Sequence, residues 1–196
     1  MSVDMRGIGA RLERTLHRDY YLTDRVFALE RERIFFREWF CVGREEELAE
    51  AGDYLVRDIA GESILLVRTR SGALAAHYNV CRHRGSQLVP DCERGRFAGG
   101  IRCPYHSWTY TLEGALRTAP FLEEGAGLAR TDLSLHSVGV DTWGGFVFVH
   151  LTPAESRPLA AQLGGVPERL RRYPLAELRV ARRIEYPIAA NWKVML

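Results

Sequence analysis

The first strongly patterned stretch of the chain mixes apolar and charged residues in the way expected of a helix. Between Thr23 and about Trp39, apolar residues return at broadly helical spacing among glutamates and arginines. These apolar residues are Val26, Phe27, Leu29, Ile34 and Phe35. We therefore expect residues 1–40 to form an N-terminal helical segment.

Shorter runs of β-type residues follow, and turn signals separate them. The first runs cover Trp39 to Gly43, Gly52 to Asp58, Ser63 to Arg70 and Ala73 to Val80, with turns at Ala60-Gly61 and Ser71-Gly72. The later runs cover Trp108 to Arg117, with a turn at Glu113-Gly114, then Leu133 to Val140 and Gly145 to Leu151. This rhythm predicts an antiparallel β domain over residues 41–152, so the fold class is mainly β.

The remaining residues predict a linker and the start of a further domain. Pro and Gly residues in the stretch 152–166 indicate a linker or surface loop and a domain edge. Beyond it, the run VPERLRRY predicts a short helix, and an alternating pattern predicts a strand at Val180, Arg182, Ile184, Tyr186 and Ile188. The chain ends on apolar residues without a polar tail, so we expect residues 153–196 to be the linker and the truncated start of a catalytic domain.

Composition and charge narrow the class of protein. The 196 residues are 46% hydrophobic and 27% charged, as in an ordinary soluble protein. With 27 basic and 25 acidic residues the net charge is +2, so no nucleic-acid or membrane partner is expected. The N-terminus lacks the apolar stretch of a signal peptide, which favours a cytoplasmic location. Four cysteines in that compartment favour ligands or buried thiols over disulfides.

Two short motifs pair a cysteine with a histidine. They are Cys81-Arg82-His83 and Cys103-Pro104-Tyr105-His106, and 19 residues, 84–102, lie between them. Small and turn-forming residues surround each motif, which predicts two loop tips. Two such loops could bind a single zinc ion through two cysteines and two histidines, or a two-iron cluster with both cysteines on one iron and both histidines on the other.

The motifs CRHRG and CPYHSW resemble the ligand signature of Rieske proteins. The resemblance implies a [2Fe–2S] cluster at the tip of a small antiparallel β domain. It further implies that Cys81 and Cys103 hold one iron while His83 and His106 hold the other. These residues are the expected metal and cofactor ligands, and no catalytic residue is expected in this chain.

The flanking sequences ERERIFFREW, GDYLVRDIAGESILLVR and RIEYPIAANWK resemble the α subunit of Rieske non-haem iron oxygenases over residues 18–196. The fold implied is a Rieske-type antiparallel β domain with an N-terminal helix, followed by the start of an α+β catalytic domain. In that family a mononuclear non-haem Fe(II) is bound shortly after Asn-Trp-Lys by two histidines and a carboxylate. We see no such set here and expect this chain to pass electrons without hydroxylating a substrate alone.

The same resemblance implies the partners of the intact protein. They are a flavin-dependent reductase, with or without a ferredoxin, as electron donor, together with O2 and a small-molecule substrate. The substrate would be a small aromatic compound or an N-methylated, quaternary-ammonium compound, undergoing mono- or dioxygenation. Family members commonly form homotrimers. The alternative function is a freestanding Rieske ferredoxin, a carrier without chemistry of its own.

Several positions depart from the Rieske proteins of respiratory complexes. Ser86 and Tyr105 stand where those proteins carry a disulfide, and Ser107-Trp108 replaces Gly-Ser. We therefore predict a reduction potential at the low end of the Rieske range, about −150 mV. Cys92 is expected to be an incidental thiol and Cys41 a buried small hydrophobe. The remaining histidines, which are His17, His77, His136 and His150, are expected to have structural or surface roles. The tryptophans, which are Trp39, Trp108, Trp143 and Trp192, are expected to be core aromatics.

Overall fold

The computed structural model of the chain describes residues 14–90, 93–122 and 129–195, so Cys92 lies outside the described residues. Two helices, α1 (Asp19–Leu22) and α2 (Asp24–Glu30), come first, and α2 continues into a π-helical turn at Arg31–Phe35. The predicted helix is confirmed, but it ends at Phe35 and not at Trp39. The Trp39 backbone N–H instead donates to the side-chain oxygen of Gln162, and the Gln162 side-chain amide donates to the Trp39 carbonyl.

The described residues form ten strands, and every pairing between them is antiparallel. The strands are β1 (Phe40–Arg44), β2 (Asp53–Ile59), β3 (Glu62–Arg68), β4 (Leu74–Tyr78), β5 (Arg94–Arg96), β6 (Ile101–Arg102), β7 (Thr109–Tyr110), β8 (Leu116–Thr118), β9 (Ser137–Trp143) and β10 (Phe146–His150). Seven of them form one sheet in the order β1-β10-β9-β4-β3-β2-β5, and the other three form a small sheet in the order β6-β7-β8. The mainly β fold class is thereby confirmed.

Strand β3 separates two hydrophobic cores. Its central residues, Ile64, Leu65, Leu66 and Val67, are fully buried, because apolar side chains cover both faces of the strand. Leu65 and Val67 belong to the core that also contains both ligand-motif cysteines, whereas Ile64 and Leu66 belong to the core beneath β1, β9 and β10. The ligand motifs are therefore built on one side of a rigid central strand.

Two further helices follow the sheets, α3 (Leu159–Leu163) and α4 (Val166–Leu170). The short helix predicted from VPERLRRY is confirmed as α4. The stretch 152–166 is only partly a loop, because buried Leu159 and the Gln162 amide dock α3 on the body of the protein. None of the helices in the described ranges is long and apolar enough to cross a membrane.

The strand predicted at Val180–Ile188 is wrong. A strand needs a neighbour to complete its backbone hydrogen bonds, and this segment pairs with none of the described strands. Its apolar side chains are exposed, for example 53% at Ile184 and 75% at Tyr186. Side chains from around β1 hold the preceding backbone instead: the guanidinium of Arg44 donates to the Leu175 and Leu178 carbonyls.

Two smaller expectations also need correction, and two short strands had no prediction. Cys41 is exposed and not buried, because it lies on the edge strand β1, next to a β-bulge between Cys41 and Gly43. The run predicted to begin at Leu133 becomes a strand only at Ser137, after a 3-10 turn at Arg130–Leu133. Strands β5 and β6 were not predicted, since two or three residues are too few to show an alternation.

Candidate metal centre

The first ligand motif lies in a tight loop that follows β4. The Cys81 amide donates to the Ser86 carbonyl at 2.8 Å, and the Gly85 amide donates to the Cys81 carbonyl at 3.0 Å. Gly85 has a φ of +71°, a left-handed conformation that glycine adopts without steric cost. The loop therefore turns back at Gly85 and presents the side chains between Cys81 and Gly85 at its tip.

The second motif, which follows β6, repeats this pattern. The Cys103 amide donates to the Trp108 carbonyl at 2.8 Å, and the Ser107 amide donates to the Cys103 carbonyl at 3.2 Å. Ser107 has a φ of +60° at the position equivalent to the glycine of the first loop. A serine in this conformation costs about 1–2 kcal/mol, which the surrounding hydrogen bonds must offset. Two loops of matching backbone thus present the two motifs.

The two motif cysteines are buried together in one core. Cys81 and Cys103 are each 2% exposed and belong to the same apolar cluster. Burial raises the pKa of the Cys81 thiol, and the nearby thiol of Cys103 raises it further, while the Tyr110 hydroxyl acts in the opposite direction. A positive metal centre between the two sulfurs would remove this penalty, because it stabilises both thiolates.

Tyr110 connects the two loops through its hydroxyl group. The side chain is fully buried on β7, and its oxygen lies 3.3 Å from Cys81 Sγ. The same oxygen accepts the Arg82 backbone N–H at 3.1 Å, which leaves the phenolic proton free to point at the sulfur. Burial, followed by the contact with Cys81, raises the pKa of Tyr110 far above its usual range, so the proton stays in place.

The two motif imidazoles lie on the outer side of the cysteines. The ring centroids of His83 and His106 are 4.8 Å apart, and the rings are inclined by 66°. Trp108 stacks parallel on His83 at 4.7 Å, while Tyr105 lies 3.8 Å from the His106 ring. His83 is exposed, whereas Trp108 beneath it is buried. Desolvation, followed by the positive charges of His106 and Arg84, lowers the pKa of His83 and favours the neutral imidazole that binds metals.

The donor set fits a two-iron cluster. Two soft sulfur donors face inward as one pair, and two imidazole donors form a second pair further out. His106 Nδ1 is buried and has no hydrogen-bond partner among the described residues, as expected of a nitrogen reserved for a metal. Among the described residues, no group of three or more His, Cys, Asp or Glu side chains that could hold a single metal ion is found.

Arg82 and Tyr110, which were not predicted to belong to the site, support the ligand loops. Arg82 lies between the first pair of ligand residues, and its guanidinium bonds the His136 ring and donates to the Asp132 carbonyl at 3.0 Å. Tyr110 could have been found from the pattern, because Trp108, Tyr110 and Leu112 alternate and are all buried. Arg82 carries no comparable signal, since its partners are 50 and 54 residues away.

Among the other histidines and tryptophans, Trp108 stacks on His83, and His136 bonds Arg82 within the first ligand motif. His77 and His150 are buried, while His17 pairs with Asp19 at the surface. Trp39 and Trp108 are buried as predicted, and Trp143 and Trp192 are partly buried. His77 Nε2 lies 3.1 Å from the Leu112 carbonyl and so joins β4 to the hairpin that follows the second ligand loop.

Similar proteins with known functions are oxygenase subunits. The chain is 38% identical over 181 residues to the carnitine monooxygenase oxygenase subunit of Escherichia coli K12, covering 91% of this chain and 48% of that protein. It is 34% identical over 183 residues to the glycine betaine monooxygenase oxygenase subunit of Pseudomonas aeruginosa, covering 93% and 42% respectively. The chain thus spans about half the length of the curated relatives it matches.

Solved structures agree with this similarity. The apo form of the quaternary ammonium Rieske monooxygenase CntA has a TM-score of 0.86 at 34% identity, over 92% of this chain and 52% of that one. Naphthalene 1,2-dioxygenase with bound indole has a TM-score of 0.69 at 31% identity, over 76% and 33%. Residues 38–140, more than half of the chain, match the Rieske [2Fe-2S] domain family. The chain therefore belongs to the Rieske [2Fe–2S] domain family.

Proposed function

We propose that this chain is the electron-receiving half of the oxygenase component of a Rieske non-haem iron oxygenase. One observation carries the proposal: the similarity to oxygenase subunits covers 91% to 93% of the chain and so continues well beyond the Rieske domain, which ends at residue 140. A freestanding ferredoxin needs only a compact domain of roughly a hundred residues. The N-terminal helices and the residues after β10 would be surplus in such a carrier.

The proposal assigns the cluster ligands residue by residue. Cys81 and Cys103 would hold the inner iron, and His83 and His106 would hold the outer one. When bound, the cluster accepts and releases one electron at a time. The protein encloses the sulfur side, since both cysteines are buried, and leaves the imidazole side open, since His83 is exposed. Electrons would therefore enter and leave through the histidine side.

The surrounding side chains would tune the reduction potential in opposite directions. The Tyr110 hydroxyl points at Cys81 Sγ and would stabilise the extra negative charge of the reduced cluster. At position 108 an indole stacks on His83, where respiratory Rieske proteins supply a hydroxyl group. With one hydrogen-bond donor fewer, we place the potential near the low end of the Rieske range, about −150 mV.

The substrate proposed for the intact protein is a small quaternary-ammonium compound, and the reaction is monooxygenation. The named relatives act on carnitine and glycine betaine, and a further one, from Beta vulgaris, on choline. The similarity to the quaternary ammonium monooxygenase structure covers 92% of the chain, against 76% for naphthalene dioxygenase. The same proposal includes a mononuclear iron and O2 for the reaction, and a flavin-dependent reductase, with or without ferredoxin, as electron donor. It also includes a homotrimer and a cytoplasmic location.

Two experiments test this function. The chain isolated without oxygen should show visible iron–sulfur absorption that bleaches on reduction, and His83→Ala should abolish it. His17→Ala is the matched control, because His17 is an exposed histidine away from the motifs.

In the second experiment the intact protein and a reductase should convert carnitine, glycine betaine or choline in an oxygen-dependent reaction. Reduction of the cluster followed by electron transfer to a soluble acceptor alone would favour the ferredoxin alternative.

A further inference from the structure

Glu30, the last residue of α2, is a buried acid far from the ligand loops. It is 8% exposed and is the only buried carboxylate within the described part of the chain. One oxygen accepts from Lys193 Nζ at 2.5 Å, and the other accepts from the Trp192 indole at 3.0 Å. Burial alone would raise the pKa of Glu30, but these bonds outweigh it and the pKa is lowered. The carboxylate is therefore ionised and fully occupied.

All three residues of the Asn191-Trp192-Lys193 segment contact the N-terminal helices. The Asn191 amide donates to the Tyr21 carbonyl at 3.1 Å, while its oxygen accepts the Lys193 N–H. The Lys193 ammonium also lies 5.6 Å from the centre of the Tyr21 ring. Three consecutive side chains thus bridge a separation of more than 160 residues.

Aromatic contacts continue this connection into the main sheet. Trp192 meets Phe35 edge-on with ring centroids 5.5 Å apart, and Phe35 stacks on Phe40 at 5.4 Å. Phe35 ends the π-helical turn that begins directly after Glu30, and Phe40 begins β1. Such wide turns occur mostly where a helix must present side chains out of the normal register. These ring contacts connect the Asn191-Trp192-Lys193 segment to the sheet that carries the first ligand loop.

Residues 184–190, just before this segment, are exposed and lie in no described strand, so the contacts of residues 191–193 themselves fix the position of the segment. A buried ion pair contributes little stability compared with apolar packing of the same volume, and its best-attested role is to fix geometry. The charged partner is also distinctive: Lys193 is the single lysine of a chain that holds 27 lysine and arginine residues in all. Its ammonium contacts the Glu30 carboxylate and lies 5.6 Å and 5.1 Å from the centres of the Tyr21 and Trp192 rings. A guanidinium is not equivalent there, because it is planar and carries its donors in a fixed fork.

We propose that Glu30 is a positioning residue: together with Tyr21 and Phe35 it forms a clasp that holds the Asn191-Trp192-Lys193 segment at a fixed place on the Rieske half. The consequence for catalysis rests on the function proposed above. On that proposed function, this segment would lead from the cluster half toward the catalytic half, and the clasp would set the direction in which the second half begins.

The single lysine makes the clasp directly measurable by amine acylation. In the folded chain Lys193 should react at least about tenfold more slowly than in the chain unfolded in urea, because reaction requires local opening. Glu30→Gln should raise the folded-state rate by about tenfold, and Trp192→Phe should raise it less, since the ring contact with Phe35 remains. Glu168→Gln, which removes an exposed partner of Arg171, should change nothing.

The visible spectrum of the cluster serves as the folding control for each variant. Unchanged Lys193 reactivity in Glu30→Gln, or full reactivity in the unmodified folded chain, would overturn the clasp. In the intact oxygenase, Glu30→Gln should lower the product formed per electron consumed while the rate of cluster reduction stays the same. If labelling rises as expected but the unmodified protein oxidises no substrate, the proposed function fails and the clasp stands.

Discussion

At the scale of single residues, the buried hydroxyl of Tyr110 governs the inner side of the proposed cluster. Its oxygen lies 3.3 Å from Cys81 Sγ, one of the expected ligand atoms. The same oxygen holds the backbone of Arg82 and thereby the start of the first ligand loop. One side chain therefore contributes both to the charge balance and to the geometry of the site.

Tyr110→Phe should lower the reduction potential of the cluster. The hydrogen bond from Tyr110 stabilises the reduced, more negative cluster, and the substitution removes it. A loss of about 1 kcal/mol of this stabilisation corresponds to a potential lower by roughly 40 mV for one electron. A redox titration followed by visible circular dichroism measures this shift. Tyr173→Phe, which removes an exposed phenolic hydroxyl that contacts Arg172, is the matched control. An unchanged or raised potential in Tyr110→Phe would show that the hydroxyl does not act on the cluster.

Part of this residue-level chemistry can be predicted from the sequence. The four expected ligands are identified from two short motifs, because the motif fixes both residue type and spacing, and their assignment stays a prediction. The position of Tyr110 follows less directly from the alternation after Cys103. Arg82 and Glu30 could not be found, because their partners lie far away in sequence and only the fold brings them together.

At the scale of elements, His77 couples the large sheet to the hairpin that follows the second ligand loop. It lies on β4, bonds the Leu112 carbonyl, and has Gly114 of the β7–β8 turn against its ring. The glycine is required here: an added Cβ at Gly114 would lie 2.6 Å from His77 Cε1, and φ is +91°. Gly61, in another hairpin turn, has a similar φ of +86° but open space around it.

This difference predicts unequal costs for the same substitution. Gly61→Ala should cost about 1 kcal/mol of unfolding free energy, because only backbone strain is introduced. Gly114→Ala should cost about 1–3 kcal/mol more, since the methyl group also displaces a buried ring. Denaturant unfolding of the two variants compares them directly. Equal costs would mean that the His77 contact is not tight.

His77 should also make stability depend on pH. Burial lowers its pKa below the usual value, so the unfolded chain binds a proton more readily than the folded one. Stability is then fully present above about pH 6.5 and declines as the pH falls toward the folded pKa. His77→Gln should flatten this decline, whereas His17→Gln, at an exposed site, should leave it in place. Unfolding curves between neutral and mildly acidic pH test this; identical slopes in all three proteins would refute it.

Elements with a long internal pattern were predictable, and those that depend on a partner were not. The helix and the six strands of five or more residues follow from local spacing, with ends displaced by a few residues, and the short strands β7 and β8 fall within the predicted run Trp108 to Arg117. The alternation from Val180 to Ile188 is a genuine strand pattern, but no described strand lies beside it. The predicted burial of Cys41 is wrong for a related reason, since the exposure of its side chain depends on whether β1 is an edge or a central strand.

At the scale of the whole molecule, the two cores on either side of β3 have different tasks. One core encloses the cysteines of the ligand loops, and the other packs β1, β9 and β10, near which the N-terminal helices and Phe40 lie. The proposed cluster is thus attached to a rigid sheet, while the Asn191-Trp192-Lys193 segment is attached to the same sheet through Phe35 and Phe40. This arrangement would hold the proposed cluster and the Asn191-Trp192-Lys193 segment at a fixed separation, as the proposed electron transfer requires.

The central claim is that the two motifs hold one cluster with different ligands on its two irons. Mössbauer spectroscopy of the anaerobically isolated chain enriched in iron-57, together with sulfide analysis, tests this most directly. We predict two irons and two sulfides per chain, with two distinct iron signals, one from the site held by Cys81 and Cys103 and one from the site held by His83 and His106. A single zinc ion per chain, or two equivalent irons, would contradict the account.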